Sequence, residues 1–249
     1  MDKLIYTAMS GMTDSMTRQR VIAANMANAQ TIGFRAEMLY STPVTLKGPA
    51  LEARAMSSGE VKGADMRQGN VNATGNVLDI AMQGSDMMAV QAADGSEVYT
   101  RRGDLSVSAT GVLSNGDGRP VIGNGGPITV PPDGVIKIGP DGSVLSGDPS
   151  NPNQPPTLVD KIKIASTDGM TIEKGLDGFF RVAGGGILPT NDDAKVTVGA
   201  LEESNVSPSE VMVQMVQAQR LFDIRTKLLS TAKDIDQSGT SLLRQSASS

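Results

Sequence analysis

The 249-residue chain contains no cysteine and no histidine. Their absence excludes thiol nucleophiles, disulfides, Cys/His zinc sites and any Ser-His-Asp triad. A cysteine-free chain is also compatible with an oxidising compartment. Tryptophan is absent as well, and four Phe and three Tyr make up the whole aromatic content. Lys and Arg total 22 against 27 Asp and Glu, a formal charge of −5. With no basic block to neutralise a phosphate backbone, nucleic acid is not expected as a partner. No stretch approaches the roughly 20 apolar residues of a membrane span, so membrane insertion is not expected. The start, MDKLIYTAMSGMTDSMTRQR, has an early acid and no apolar block of signal-peptide length. Should the chain leave the cytoplasm, a standard cleaved signal is not expected to take it. What the chain does have is 28 Gly and 13 Pro, a composition that favours many turns and short strands.

Both ends read as helices. Over residues 3–29, Ile5, Met12, Gln19 and Met26 fall seven apart, and Met9, Met16 and Ala23 form a second series beside them. Seven-residue spacing keeps side chains on nearly one face, so the two series make one apolar stripe, interrupted by Gly11. Over residues 208–244 the signal is stronger. Ser207-Pro208 supplies an N-cap followed by proline at the first helical position, with Glu210 in the first turn. Leu221, Leu228, Ile235 and Leu242 are spaced by seven, with Met215, Phe222, Leu229 and Leu243 beside them. Two adjacent apolar heptad positions are wider than a two-stranded coil needs and point to more than one neighbour.

The middle differs in kind. Residues 71–200 hold eight Asx-Gly dipeptides, at Asp94, Asn115, Asp117, Asn124, Asp133, Asp141, Asp168 and Asp177, a pair favoured in tight hairpin turns. Short alternating runs lie between them: LDIAM (78–82), EVYTR (97–101), LSVS (105–108), VIKI (135–138), LVDKIKI (158–164) and KVTV (195–198). This predicts an antiparallel β domain of sandwich or barrel type. The expected fold is α+β: an elongated molecule with antiparallel, coiled-coil-like N- and C-terminal helices and a central β domain. Its expected parts are an N-terminal helix and joint (1–35), an extended connector (36–70), a β-rich domain (71–200) and a C-terminal helix (201–249).

No catalytic constellation stands out, so no enzyme activity, cofactor or metal is expected. Arg102-Gly103-Asp104 matches an adhesion triplet but reads first as a turn between EVYTR and LSVS. NGDGR (115–119) lacks the alternating carboxylates of a calcium loop, and GNGGP (123–127) lacks the helix and Lys-Ser/Thr of a phosphate cradle. Asp192-Asp193 and Glu202-Glu203 could serve a glycosidase in principle, but adjacent carboxylates without an aromatic sugar platform read as solvated surface.

NMANAQTIGFR (25–35) closes the first helix. Asn25 and Asn28 can satisfy carbonyls that a helix end leaves without partners, Gly33 permits a turn closed to other residues, and Phe34 is expected to anchor the turn by apolar burial. The pattern N25-x-A27-N28-x-x-T31-x-G33-F34-R35 resembles the N-terminal signature of bacterial flagellar rod and hook proteins. GALEESNVSPSEVMVQMVQAQRLFDIRTKLL (199–229) resembles their C-terminal signature, and QGNVNATGNVLDIAMQGSDMMAVQAADGSEVYTRRGDLSV and GPITVPPDGVIKIGPDGSV resemble their centre. The likeness is collinear over nearly the whole chain and is greatest to proximal-rod members. Gly84-Ser85-Asp86-Met87-Met88 stands where distal-rod and hook relatives usually carry Gly-x-Gly-Phe-Phe.

The resemblance implies a structural subunit of the periplasmic rod, exported by the flagellar type III apparatus without signal cleavage. It implies polymerisation through the terminal helices with copies of itself and with neighbouring rod subunits, and part in a torque-transmitting shaft. By the match, Asn25, Ala27, Asn28, Thr31, Gly33 and Phe34 carry the N-terminal joint, and Asn205, Met212, Gln219, Arg220 and Phe222 its C-terminal counterpart. The alternatives are a distal-rod or hook-type relative and, of a different class, a secreted adhesin using the Arg-Gly-Asp turn.

Overall fold

A computed structural model describes residues 2–45, 55–131, 134–149, 151 and 154–246. The chain divides into two compact units. The first comprises Met1–Ala27, Glu37–Lys62 and Ser207–Ser249, the second Asn28–Ala36 and Gly63–Val206.

The first unit holds α1 (Asp2–Ala27), the strand pair β1 (Glu37–Thr45) and β2 (Ala55–Ala64, whose last two residues belong to the second unit), and α2 (Pro208–Ser246). Residues 36–70, read above as an extended connector, thus contribute a two-stranded ribbon. A ribbon of two strands is marginal alone, and here it packs on α1. At Gly59 on β2 an added Cβ would lie 2.3 Å from Asp14 Oδ1, so the ribbon meets the helix where β2 carries no side chain. α2 starts as Ser207-Pro208 predicts: Val211 N donates to Ser207 O at 3.0 Å and Glu210 N to Ser207 Oγ at 3.5 Å.

The second unit is built of short strands: β3 (Val71–Ala73), β4 (Ile80–Met82), β5 (Met87–Gln91), β6 (Glu97–Thr100), β7 (Leu105–Val107), β8 (Leu113–Asn115), β9 (Ile122–Gly123) and β10 (Gly126–Pro127). They continue with β11 (Val135–Ile138), β12 (Ser143–Gly147), β13 (Thr157–Lys161), β14 (Ile164–Ala165), β15 (Ile172–Lys174), β16 (Phe180–Val182), β17 (Val196–Val198) and β18 (Ala200–Glu202). The main sheet runs β14-β5-β6-β16-β15, a second runs β11-β12-β13, and the remaining strands of this unit form two-stranded pieces. The strand pairings of this unit are antiparallel among the described residues. Among the described residues the strands close no barrel.

Two apolar clusters flank the main sheet. Met88, Val90 and Val98 enter one with Ile80, Leu113, Val121 and Val144, while Met87, Ala89, Tyr99 and Phe180 enter the other with Leu188. β5 is therefore buried on both faces and shows no polar alternation. Tyr99 sits fully buried with its hydroxyl satisfied: it accepts from Leu188 N and donates to Glu97 Oε1, each at 2.7 Å. Burial pushes its phenol well above the ordinary value.

Candidate functional site

Of the N-terminal signature, residues 28–35 lie in the second unit, where Gly33, Phe34 and Arg35 meet residues of the C-terminal signature. Gly33 adopts φ 67°, the left-handed region that favours glycine. Its N donates to Glu202 O at 2.8 Å, and an added Cβ would lie 2.5 Å from the carbonyl carbon of Arg101 and 2.6 Å from Arg102 N. Glycine is thus required there for space as well as for conformation.

Phe34 is only half-buried. It is held less by apolar burial than expected, because Lys174 Nζ from β15 lies 3.6 Å above its ring and donates to Arg35 O at 3.0 Å. Asn205, from the C-terminal signature, ties three passages of chain together. Its N donates to Phe34 O at 3.3 Å and its Oδ1 accepts from Ala36 N at 2.8 Å. Its Nδ2 donates to Asp65 O at 2.7 Å and Arg67 O at 2.9 Å.

Beneath this clasp lie three charged side chains with no solvent exposure: Arg35, Arg101 and Glu202. Arg101 Nε and Nη2 donate to Glu202 Oε2 at 2.8 and 2.5 Å. The rest of its guanidinium is wrapped by the 82–86 loop, donating to Met82 O at 2.7 Å, Gly84 O at 2.8 Å and Asp86 O at 2.6 Å. Glu202 Oε1 accepts from Gly69 N at 3.0 Å. Arg35 Nη1 lies against Glu202 Oε1 as a charge contact without hydrogen-bond geometry, and Arg35 Nε and Nη2 find no hydrogen-bond partner among the described residues. Burial draws the Arg101 guanidinium below its ordinary range; Glu202 opposes this and the neighbouring Arg35 charge adds to it.

Glu202 corrects the expectation that Glu202-Glu203 is a solvated pair. Successive residues of extended chain face opposite ways, so Glu202, the last residue of β18, is sealed in while Glu203 just after it is exposed and accepts from Asn72 Nδ2. Sequence reasoning also passed over Arg101. It stands beside the Arg-Gly-Asp triplet, and one signal was available: it directly follows a short strand that carries the apolar pair Val98-Tyr99 and whose last three residues are buried. The triplet itself is closed. Arg102 Nε donates to Asp104 Oδ1 at 2.8 Å and its Nη1 to Asp117 Oδ1 at 2.6 Å, so its arginine and aspartate are bonded to each other instead of being free for a receptor.

The other signature residues lie elsewhere. Asn25 is buried in the first unit and grips β1, its Oδ1 accepting from Glu37 N at 2.8 Å and its Nδ2 donating to Glu37 O at 3.0 Å. Ala27 is exposed at the end of α1. Asn28 and Thr31 close the turn that follows, with Thr31 N donating to Asn28 O and Thr31 Oγ1 to Asn28 Oδ1, both at 3.1 Å. Of the C-terminal set only Asn205 is in the clasp. Met212, Gln219 and Arg220 are exposed along α2, and Phe222 is half-buried.

On the helices the structure separates the paired heptad series. α1 and α2 pack on each other. Among the described residues the covered positions of α2 are Val211, Met215, Ala218, Phe222, Arg225, Leu229 and Ala232, in alternating steps of four and three. The neighbouring series is left bare: Leu221, Ile224, Leu228 and Ile235 are exposed, Leu228 at 60%. On α1, Met12 and Met26 are partly covered, whereas Met9 and Met16 are exposed, Met9 at 54%. The side chains of Ile5 and Leu242, and of Leu243, lie outside the described residues. Arg225 occupies a seam position and donates to Gly11 O and Ser15 Oγ, so a charged residue fixes the register of the helix pair.

These features define a class: a chain whose two ends pair as one helical unit, each helix keeping an uncovered apolar face, and whose middle folds as a separate strand-built unit. Comparison with known proteins narrows it. The family described as "Flagella basal body rod protein" matches residues 5–35, "Flagellar hook protein FlgE/F/G D1 domain" residues 81–146, and "Flagellar basal body rod FlgEFG protein C-terminal" residues 197–242. The flagellar basal-body rod protein FlgF of Salmonella typhimurium is 36% identical over 252 residues, covering 99% of this chain and 100% of the relative. FlgF of Escherichia coli is 37% identical over 240 residues, 94% of this chain and 95% of the relative. FlgG of Bacillus subtilis is 28% identical, over 96% of this chain and 98% of the relative. The chain belongs to the flagellar basal-body rod protein family. Among the described residues no helix is long and apolar enough to cross a membrane.

Proposed function

We infer that this chain is a structural subunit of the flagellar basal-body rod, in its proximal part, and that it polymerises through the terminal helices. The observation that carries the reading is the second apolar series on each helix, which stays in solvent while its neighbour is covered within the chain. Steps of four and three along Leu221, Ile224 and Leu228 are those of a packing seam. That seam is offset by one residue, about 100°, from the seam used inside the chain. A helix with two such seams is built to be flanked on two sides. The proximal assignment is supported by the FlgF relatives, which match at higher identity than FlgG of Bacillus subtilis. On this reading the subunit crosses the inner membrane through the flagellar export apparatus without signal cleavage and works in the periplasm. It joins neighbouring rod subunits as a load-bearing part with no catalytic role.

The test is Leu228→Asp. Leu228 is already exposed, so the monomer should keep its stability to within about 0.5 kcal/mol. Swimming should be lost, with basal bodies arrested before the distal rod in electron micrographs. Normal motility in this variant overturns the reading.

A further inference from the structure

The chain holds two Asn-Gly pairs, Asn115-Gly116 and Asn124-Gly125, and the structure treats them oppositely. Asn115 is buried with its amide bonded at both ends. Its Oδ1 accepts from Asp117 N at 3.1 Å and Arg119 N at 2.9 Å, and its Nδ2 donates to Asp117 Oδ2 at 3.2 Å. Its backbone is tied as well: N donates to Arg119 O at 2.9 Å and O accepts from Gly118 N at 2.8 Å. A Cβ built at Gly116 would lie 2.0 Å from Asp104 Oδ2, so the following residue is hemmed in too.

Asn124-Gly125 is the tip of the β9–β10 hairpin, and both residues are exposed. The backbone N of Asn124 reaches Asp160 Oδ1 at 3.3 Å. Among the described residues neither the Asn124 amide side chain nor Gly125 N makes a hydrogen bond. A Cβ built at Gly125 or Gly126 would meet nothing within 4 Å. The ladder beneath the tip has two residue pairs, Gly123 with Gly126 and Ile122 with Pro127, and proline has no N–H to donate to it. So short and glycine-rich a ladder opens locally at low cost.

We propose that Asn124 of the folded protein is a site of spontaneous deamidation through a cyclic imide, while Asn115 is protected. Gly125 N attacks Asn124 Cγ. The new N–Cγ bond forms as the Cγ–Nδ2 bond breaks, and ammonia leaves with the proton of Gly125 N. Water then opens the ring: addition at Cγ gives aspartate, and addition at the main-chain carbonyl carbon gives isoaspartate. Nothing is oxidised or reduced, and water is the sole co-reactant. Each event adds a negative charge near Asp160. The isoaspartyl product also adds a carbon to the backbone of the turn, which shifts the Gly123–Gly126 register. The reaction depends on the hairpin tip alone, so it stands or falls independently of the proposed function.

The test holds the full-length protein in warm, mildly alkaline buffer made with heavy-oxygen water. Peptide mass spectrometry reads oxygen uptake at each Asn, and a methyltransferase specific for isoaspartyl carboxyls counts the rearranged product. In the folded protein, conversion at Asn124 should exceed that at Asn115 roughly tenfold or more, because Asn115 reacts only when its bonds open. In denaturant the two rates should converge to within about twofold, both pairs then being unfolded Asn-Gly. Gly125→Ala puts a methyl into open space at a position without positive φ, so the fold is kept while the attacking nitrogen is crowded, and conversion at Asn124 should slow severalfold. Equal rates at the two sites in the folded protein, or conversion at Asn124 that occurs only in denaturant, would overturn the proposal. Aspartate at Asn124 without isoaspartate, or a rate indifferent to Gly125→Ala, would overturn the cyclic route.

Discussion

Replacing Glu202 by Gln isolates the charge at the centre of the joint. Gln keeps the size of the side chain and an acceptor for Gly69 N. What is lost is the one negative charge between two guanidiniums, all three side chains being without solvent exposure. The cluster then goes from a net charge of +1 to +2 in a place where water cannot compensate. Removing one member of a buried ion pair costs about 3–5 kcal/mol, a large part of a domain's total of roughly 5–15 kcal/mol. For a unit of this size the melting midpoint should fall by about 6–20 °C. Arg35→Met provides the contrast. Arg35 makes only a charge contact, two of its nitrogens lack hydrogen-bond partners, and Glu202 would stay bonded to Arg101 and Gly69. Its removal takes the cluster to neutrality, and we expect a cost under about 1.5 kcal/mol. Arg101 has no such tolerant substitute, because it also satisfies three carbonyls of the 82–86 loop. Guanidinium titrations followed by the β-sheet circular dichroism of each variant measure the order. Equal costs for Glu202→Gln and Arg35→Met would refute the idea that Glu202 is the shared counter-charge.

Gly33→Ala should destabilise the same unit by more than about 1–3 kcal/mol, since the methyl meets Arg101 backbone at 2.5 Å in a left-handed conformation; a thermal midpoint equal to the parent's contradicts this. Asp177 has its carboxyl held low by Arg181, so its contribution is complete above the unfolded value of 3.8 and is lost as pH falls through the lower folded value. Asp177→Asn should therefore flatten the acid limb of the stability profile below about pH 4, by no more than about 1 kcal/mol for this partly exposed pair, with little change in its slope near neutrality.

Periodicity made the helices legible. α1 was expected over 3–29 and runs Asp2–Ala27, and α2 was expected over 208–244 and runs Pro208–Ser246. It could not say which of two adjacent series each helix would cover, because Leu221 and Phe222 are equally apolar and only the partner's position decides between them. Alternation found β4, β6, β7, β11, β13 and β17, and the Asx-Gly turns were real at Gly95, Gly118, Gly142, Gly169 and Gly178, which all take positive φ. It missed β5, whose Met87-Met88-Ala89-Val90 is buried on both faces and so has no period to read. The joint was half legible. Gly33 stood out as a turn residue and Asn205 entered only through the family resemblance, while Arg101 and Glu202 are 101 residues apart in sequence, and charged side chains read by default as surface.

Asn205 has one consequence for how such chains can diversify. By fastening Phe34–Ala36 to Asp65 and Arg67, it ties shut the mouth of everything between residues 67 and 205. A body laced at its neck can be lengthened or trimmed in segments that leave Arg101, the 82–86 loop and Lys174 in place, since lengthening a closed loop costs little. The neck, not the body, is then the part that inheritance must copy faithfully.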